Sequence, residues 1–448
     1  MLAAWVGWAI AAVLVVLYAL IVVVLYRGHR VGPEKPLSLL GPLLMTKTKR
    51  GLGLLDRLGR FKRFWSGAGD LGLLLAGAAM IAIVVVLLIE AVLAFGLGAA
   101  RAPTPTEALG LPGINPFIPI GYGLVAIIIG IVIHEMFHGI VARSQNIGVK
   151  SVGILWFVVP VGAFVEQDDT QMMAASRRAR DRVAAAGIFA NFLVALVAFL
   201  LLILLVSTSV HPAVSGVEIA GILPGTPATA AGLQAGDLVT QLNGTPISTV
   251  ASLTNILDAT HPGQSMAITW WSPSSDRFSS ATVVLATDPY VSTPRGFLGV
   301  EILEGYLQPT SLLSTMTAPW ASTSGALLGF VQWIGLPFAF ASPIQGASIA
   351  YYHASGPLAG LGIGNVLILV NLLYWITWMS LLLGLSNALP LIPLDGNLLF
   401  RDWVSGIAAR VRKGWSAAQL ENFAGRMTVA ASLLIVFLIL WQFVAPRL

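Results

Sequence analysis

Residues Leu2–Tyr26 run for 25 positions without a charge. A helix of about 20 apolar residues crosses the hydrocarbon of a bilayer, and several other stretches meet that length. Leu71–Gly98 is interrupted only by Glu90, Val183–Val206 and Ile363–Leu385 carry almost nothing polar, and Met427–Val444 is shorter but long enough. With a further segment from about Phe117 to Ala142, they predict a polytopic α-helical membrane protein of about six transmembrane helices. Composition agrees, since 10% of residues are charged where a soluble domain carries about 25%.

The net charge of +5 does not point to nucleic acid, because the basic residues cluster by segment. Ten of the 25 Lys and Arg fall in 27–70, six in 143–182 and five in 386–426, while 207–362 holds only Arg277 and Arg295. Lys and Arg near membrane ends mark the cytoplasmic side. The expected topology has both termini outside a cell membrane and 207–362 extracytoplasmic. Arg27 and Arg30 follow the first apolar run and nothing basic precedes it, the charge order of a reverse anchor rather than a cleaved signal. Cysteine is absent, so a metal has to be held by His, Asp or Glu.

The chain is expected to divide as follows. N-terminal helices and a basic cytoplasmic loop occupy 1–110, and a catalytic membrane core occupies 111–206. An α+β extracytoplasmic domain follows at 210–303, then an interfacial or re-entrant segment at 304–362. A crossing with its cytoplasmic loop fills 363–426, and a last helix fills 427–448. KTKRGLGLLDRLGRFKRFW (47–65) spaces Leu and Phe against Arg and Lys as an amphipathic helix does, which suits contact with anionic membrane lipid. SVGILWFVVPVGAFVEQDD (151–169) is β-rich and too interrupted to span, so a β-hairpin packed against protein at membrane depth is expected. In the domain at 210–303, PGTPATAAGLQAGDLVTQLNG resembles the core of a PDZ domain, and RGFLGV (295–300) resembles a carboxylate-cradling PDZ loop. The resemblance implies capture of a peptide or C-terminus.

The chemistry concentrates in IVIHEMFHGI (131–140). On a helix His134 and His138 share a face and can reach one ion, with Glu135 beside it. Zinc bound this way keeps a position for water, whose pKa falls to about 7. Glu135 is then placed to act as general base. Ionisable groups in a spanning helix are costly and usually functional. For the third ligand, Asp395 in NALPLIPLDGN sits at the cytoplasmic end of a helix of opposite direction, next to Pro390 and Pro393, which leave free backbone.

HEMFH and NALPLIPLDG together resemble the paired motifs of the site-2 protease family of intramembrane zinc metalloproteases. That resemblance covers roughly 117–400 and includes a PDZ domain between the motifs. It implies cleavage of a peptide bond in or near a transmembrane helix of a membrane-protein substrate. His134, His138 and Asp395 would hold Zn2+, Glu135 would be the catalytic base, and Asn387 would contact substrate. The family's intramembrane hairpin would correspond to 152–165, making Gly162 and Phe164 candidate substrate contacts. Asn191, a lone amide one turn from Gly187 and Ala195, reads either as an interhelical hydrogen bond or as a contact to the active-site cavity. Glu166, Asp168 and Asp169 read as a solvated turn.

Three rival readings remain open on the sequence. One is a membrane protease with a glutamate third ligand, for which Glu166 is the residue to examine. Another is a membrane-anchored PDZ scaffold with a non-catalytic metal site. A transporter fits least, because one site near one leaflet offers no path across the bilayer.

Overall fold

The computed structural model describes residues 2–32, 35–96, 98, 103–108, 110–291, 295–303, 305–321, 325–339 and 346–447. Helix α1 (Leu2–Arg27) precedes strands β1 (Leu37–Leu40) and β2 (Leu43–Thr48), then helices α2 (Leu52–Gly59), α3 (Lys62–Leu93), α4 (Pro105–Ala108) and α5 (Ile120–Ser144). Strands β3 (Val149–Phe157) and β4 (Val159–Gln167) and helices α6 (Asp169–Ala174) and α7 (Arg177–Ser209) follow. The middle of the chain alternates: β5 (Val210–Pro212), β6 (Val217–Ile222), α8 (Pro227–Ala231), β7 (Leu238–Leu242), β8 (Thr245–Pro246), α9 (Val250–Asp258), β9 (Ser265–Ser272) and β10 (Arg277–Val284). After β11 (Ala286–Thr287), β12 (Gly296–Phe297) and β13 (Val300–Ile302) come α10 (Pro309–Thr317), α11 (Ala326–Ala339) and β14 (Tyr352–Ala354). Helices α12 (Ile363–Asn387), α13 (Asp395–Val411) and α14 (Ala417–Val444) complete the order.

Five helices, α3, α5, α7, α12 and α14, are long and apolar enough to cross a membrane among the described residues, and α1 is a further apolar helix of 26 residues. This is a multi-pass membrane protein. Leu74, Ile81 and Val92 of α3 stay exposed, whereas its buried positions are mostly small: Gly69, Gly72, Ala76, Ala79 and Ala91, with Met80 the exception. Lipid is as apolar as leucine, so helices associate where small side chains let backbones approach. Ala76 and Ala79 accordingly cluster with Ala184, Ala185 and Ile188 of α7 and Ala388 and Leu399.

Contacts divide the chain into two compact units. The first takes Met1–Asn115, Gly123–Leu196 and Ile376–Leu448; the second takes Pro116–Tyr122 and Val197–Trp375. In the first unit β3 and β4 pair antiparallel, with Val152 opposite Val165 and Ile154 opposite Ala163. The segment before them departs from the sequence reading. β1 and β2 add to the hairpin in the order β1-β2-β3-β4, so Lys47 and Thr48 lie on a strand and pair with Gly153 and Val152. The amphipathic helix is reduced to α2 and breaks at Arg60–Phe61 before α3 begins. Pairing with β3 satisfies backbone groups that an isolated hairpin would leave open, which is a tertiary gain invisible in helical spacing. Glu166 likewise is no solvated turn residue: it lies on β4, salt-bridged to Lys47 at 3.0 Å and accepting from Ser151. Burial pushes its carboxyl up, but the Ser151 hydroxyl and Lys47 outweigh burial and hold it below the usual range. Asp168 caps α6, accepting from the Gln171 N–H at 3.0 Å.

In the second unit a sheet of order β10-β9-β7-β6-β13, with β8 on β7, wraps a core of Val217, Ile219, Val239, Leu242, Ile268 and Trp270. Leu253 of α9 and Ala228 of α8 close that core. A cavity of about 140 Å³ lies between α9 (Leu253, Thr254, Leu257) and residues 295–300. β5 pairs with β14, setting His211 opposite His353. Helix α11 has 14 residues; 304, 322–324 and 340–345 of the expected re-entrant segment lie outside the described residues.

Candidate metal centre

α5 carries His134, Glu135 and His138, and α13 begins at Asp395. Between α12 and α13 the prolines at 390 and 393 end the helix, and the chain turns back on itself. Freed backbone groups there find Ser432 of α14: its hydroxyl accepts from the Ile392 N–H at 3.1 Å. Gly396 permits the turn, because a Cβ there would strike the Ala388 carbonyl. The result brings Asp395 to the face of α5 that holds the two histidines.

The three ligand atoms form a near-equilateral triangle. His134 Nε2 and His138 Nε2 are 3.1 Å apart, and Asp395 Oδ2 lies 3.1 Å from the first and 3.2 Å from the second. Zinc at about 2.0–2.1 Å from nitrogen and oxygen ligands spans tetrahedral edges of about 3.3 Å. A triangle of this size is compatible with the three side chains holding one such ion. The trio can hold a metal ion, and Glu166 is not part of it.

Helix α7 shapes the other side. The Val183 carbonyl is 2.7 Å from His138 Nδ1, and the Asn191 amide lies 3.1 Å from His134 Nδ1. With both outer nitrogens engaged, both Nε2 atoms face the triangle. Midway between them Gly187 has no side chain, and a Cβ there would come within 2.5 Å of His138 Nε2 and closer still to the His134 ring. The donor set, its outer contacts and this gap all fit a bound cation.

Glu135 reaches the hairpin. Its Oε2 accepts the Val165 N–H of β4 at 3.0 Å. A cavity of about 170 Å³ lined by Glu135, His138, Gln167, Val183, Asp395 and Leu398 opens beside the trio, large enough for water. Of the candidate substrate contacts, Asn387 donates to the Leu383 carbonyl of its own helix at 3.0 Å. Asn191 is 1% exposed. Gly162 and Phe164 lie on β4, where Phe164 covers Gly153. The sequence reading missed the carbonyl of Val183, which no side-chain pattern reveals, and the reason for Gly187. Its one available signal was the four-residue spacing of 183, 187 and 191.

A multi-pass membrane protein that brings H-E-x-x-H and a distant aspartate to one point has the metal-hydrolase donor arrangement. The family model described as Peptidase family M50 matches residues 122–435, and the chain belongs to that family. Membership implies a metalloprotease. Among curated relatives, an uncharacterised protein of Methanocaldococcus jannaschii is 26% identical over 354 residues, 78% of this chain and 74% of its own length. Among solved structures, the PDZ domain of an SdrC-like protein from Listeria monocytogenes is 20% identical. It covers 21% of this chain and 96% of that one, at a TM-score of 0.19. A solution structure from Geobacillus thermodenitrificans is 29% identical, covering 19% of this chain and 95% of that one, with a TM-score of 0.17.

Proposed function

We propose that this chain is an intramembrane zinc metalloprotease that hydrolyses a peptide bond in or near a transmembrane helix of a membrane-protein substrate. The observation that carries this reading is the triangle of His134, His138 and Asp395, 3.1–3.2 Å on each side, with Glu135 next in sequence to one ligand.

His134, His138 and Asp395 would hold the ion, which when bound would supply an acidified water and polarise the scissile carbonyl. Glu135 takes the proton of the attacking water through its carboxylate as the water oxygen bonds to the carbonyl carbon. When the C–N bond breaks, Glu135 returns that proton to the leaving nitrogen. Asn387 contacts the substrate backbone beside the reacting carbonyl.

A helix hides its carbonyls in its own ladder, so substrate has to unwind. β4 is the outer strand of its sheet, and the Val165 N–H turns outward to Glu135 rather than inward to β3. The two-residue alternation of an antiparallel ladder turns the Ala163 backbone the same way. An unwound segment pairing there as an added strand runs past the base and the ion, with Gly162 and Phe164 backing the strand it joins. Gly, Pro or Asn in the substrate helix lowers the unwinding cost by about 1–3 kcal/mol.

α1 supplies a sixth crossing, the centre lies toward the cytoplasmic side, and the inserted domain is extracytoplasmic. The groove between α9 and 295–300 receives a peptide or an exposed C-terminus. The direct test incubates purified protein in detergent with a single-span substrate carrying Gly or Pro in its helix. Wild type cleaves; Glu135→Gln and chelated protein do not, and zinc restores only the chelated wild type. Equal cleavage by Glu135→Gln would remove Glu135 as the base, and a wild type that cleaves nothing would end the proposal and leave a binding scaffold.

A further inference from the structure

Asn191 raises a hydrogen-bonding contradiction that bears on the metal centre. It is 1% exposed, and its Nδ2 stands 3.1 Å from His134 Nδ1. An amide N–H2 only donates, so in that orientation His134 Nδ1 has to be a bare acceptor and the ring proton sits on Nε2. Yet Nε2 is the atom 3.1 Å from both Asp395 Oδ2 and His138 Nε2. A protonated Nε2 of a neutral ring has no lone pair left for an ion. At the same time Asn191 Oδ1 is buried with no hydrogen-bond partner.

Reversing the amide removes both faults. The two ends of an Asn amide are told apart only by their hydrogen bonds. With Oδ1 on His134, the carbonyl accepts an Nδ1–H, and Nε2 is left free to ligate. The turned N–H2 then faces the spot where Oδ1 stood. Ser380 Oγ of α12, also buried without a partner, lies on that side: both oxygens fall within 4 Å of where a Cβ on Gly130 would be. One rotation thus gives the orphaned carbonyl a donor.

Resting on the metal-centre reading above, we infer that Asn191 is a positioning residue whose carbonyl oxygen accepts the His134 Nδ1–H and fixes the tautomer that binds the ion. Val183, eight residues earlier on the same face of α7, does the same for His138 with its backbone carbonyl. One helix therefore orients both imidazoles, and Asn191 supplies the only side chain in that arrangement among the described contacts. Such outer partners fix ring orientation and raise ligand basicity, and removing one lowers metal affinity about 10–100-fold.

The test is metal binding by full-length protein in detergent, titrated with Co2+ and Zn2+, for wild type, Asn191→Asp and Asn191→Leu. Aspartate keeps the acceptor and lacks the donor, so Asn191→Asp is expected to bind as tightly as wild type or tighter. Asn191→Leu is expected to bind about 10–100-fold more weakly. The Co2+ form gives a readout independent of affinity: exchangeable imidazole N–H protons shifted by the ion. Two are expected in wild type, and in Asn191→Leu the His134 signal exchanges rapidly while that of His138, held by Val183, stays. Equal weakening in both variants means the N–H2 end is used and overturns the assignment, as does unchanged binding in Asn191→Leu. Should either variant not fold, the wild-type spectrum decides alone, since a His134 Nδ1–H absent or freely exchanging overturns it too. Failure of wild type to bind either ion defeats the metal-centre reading instead.

Discussion

Replacing Gly187 by alanine adds one methyl group to the middle of a spanning helix, where alanine is the better helix former by about 1 kcal/mol. The site makes it harmful. The new Cβ would lie within 2.5 Å of His138 Nε2 and nearer to the His134 ring, where ordinary contact begins at 3.4 Å. Both rings would have to retreat by about 0.9 Å or more, against a tolerance of about 0.2 Å in metal–ligand distance. Neither ring can yield freely, because the Val183 carbonyl and the Asn191 amide hold their far nitrogens. The expected loss in zinc affinity is at least about 100-fold, or about 2.8 kcal/mol. Zinc content is measured on detergent-purified protein equilibrated at fixed free zinc, with thermal unfolding of the metal-free forms as a check on folding. Gly67→Ala is the control: it adds the same methyl to α3 with nothing within 4 Å. Gly187→Ala holding zinc as tightly as Gly67→Ala would refute the packing argument.

Val165→Pro removes the N–H that Glu135 accepts and an edge donor of β4; cleavage should fall at least about tenfold with zinc content unchanged. Gly396→Ala drives a methyl into the Ala388 carbonyl; it should destabilise the protein by about 1–3 kcal/mol and release metal, both read on one sample by calorimetry and elemental analysis. Glu166 is held below its usual range in the fold, so its contribution to stability is present above the unfolded pKa of about 4.3 and lost as pH falls through the folded value. Protection of β2 and β3 against hydrogen exchange, with the intrinsic slowing in acid divided out, should therefore fall as pH falls, and Lys47→Met should move that fall to higher pH; a fall that does not move contradicts the pairing.

The long apolar helices and the convergence of His134, His138 and Asp395 were legible because each rests on a local rule. An uncharged run of 20 residues has few alternatives in water, and two histidines four apart share a helix face wherever the helix goes. Asp395 was legible from helix direction, since the end of α12 and the end of α5 can meet at one level. The sheet was only half legible. The alternation in 152–165 marks strands, but their pairing with β2 depends on Lys47 and Thr48, whose neighbours in sequence also suit a helix. Gly187 and Val183 were illegible for another reason: a missing side chain and a backbone carbonyl leave no mark on composition. Asn191 could be seen as unusual, but whether it served α5 or the cavity depended on a distance.

The account stands on two imidazoles and one carboxylate from separate helices binding a single ion. X-ray absorption at the zinc edge, on the intact protein with its metal content measured, tests that claim most directly. One zinc per chain is predicted, in a shell of nitrogen and oxygen at about 2.0–2.1 Å with two imidazoles, and Asp395→Ala should lose it. Protein that cleaves substrate with no zinc or other metal, or an Asp395→Ala variant with an unchanged spectrum, would contradict the account.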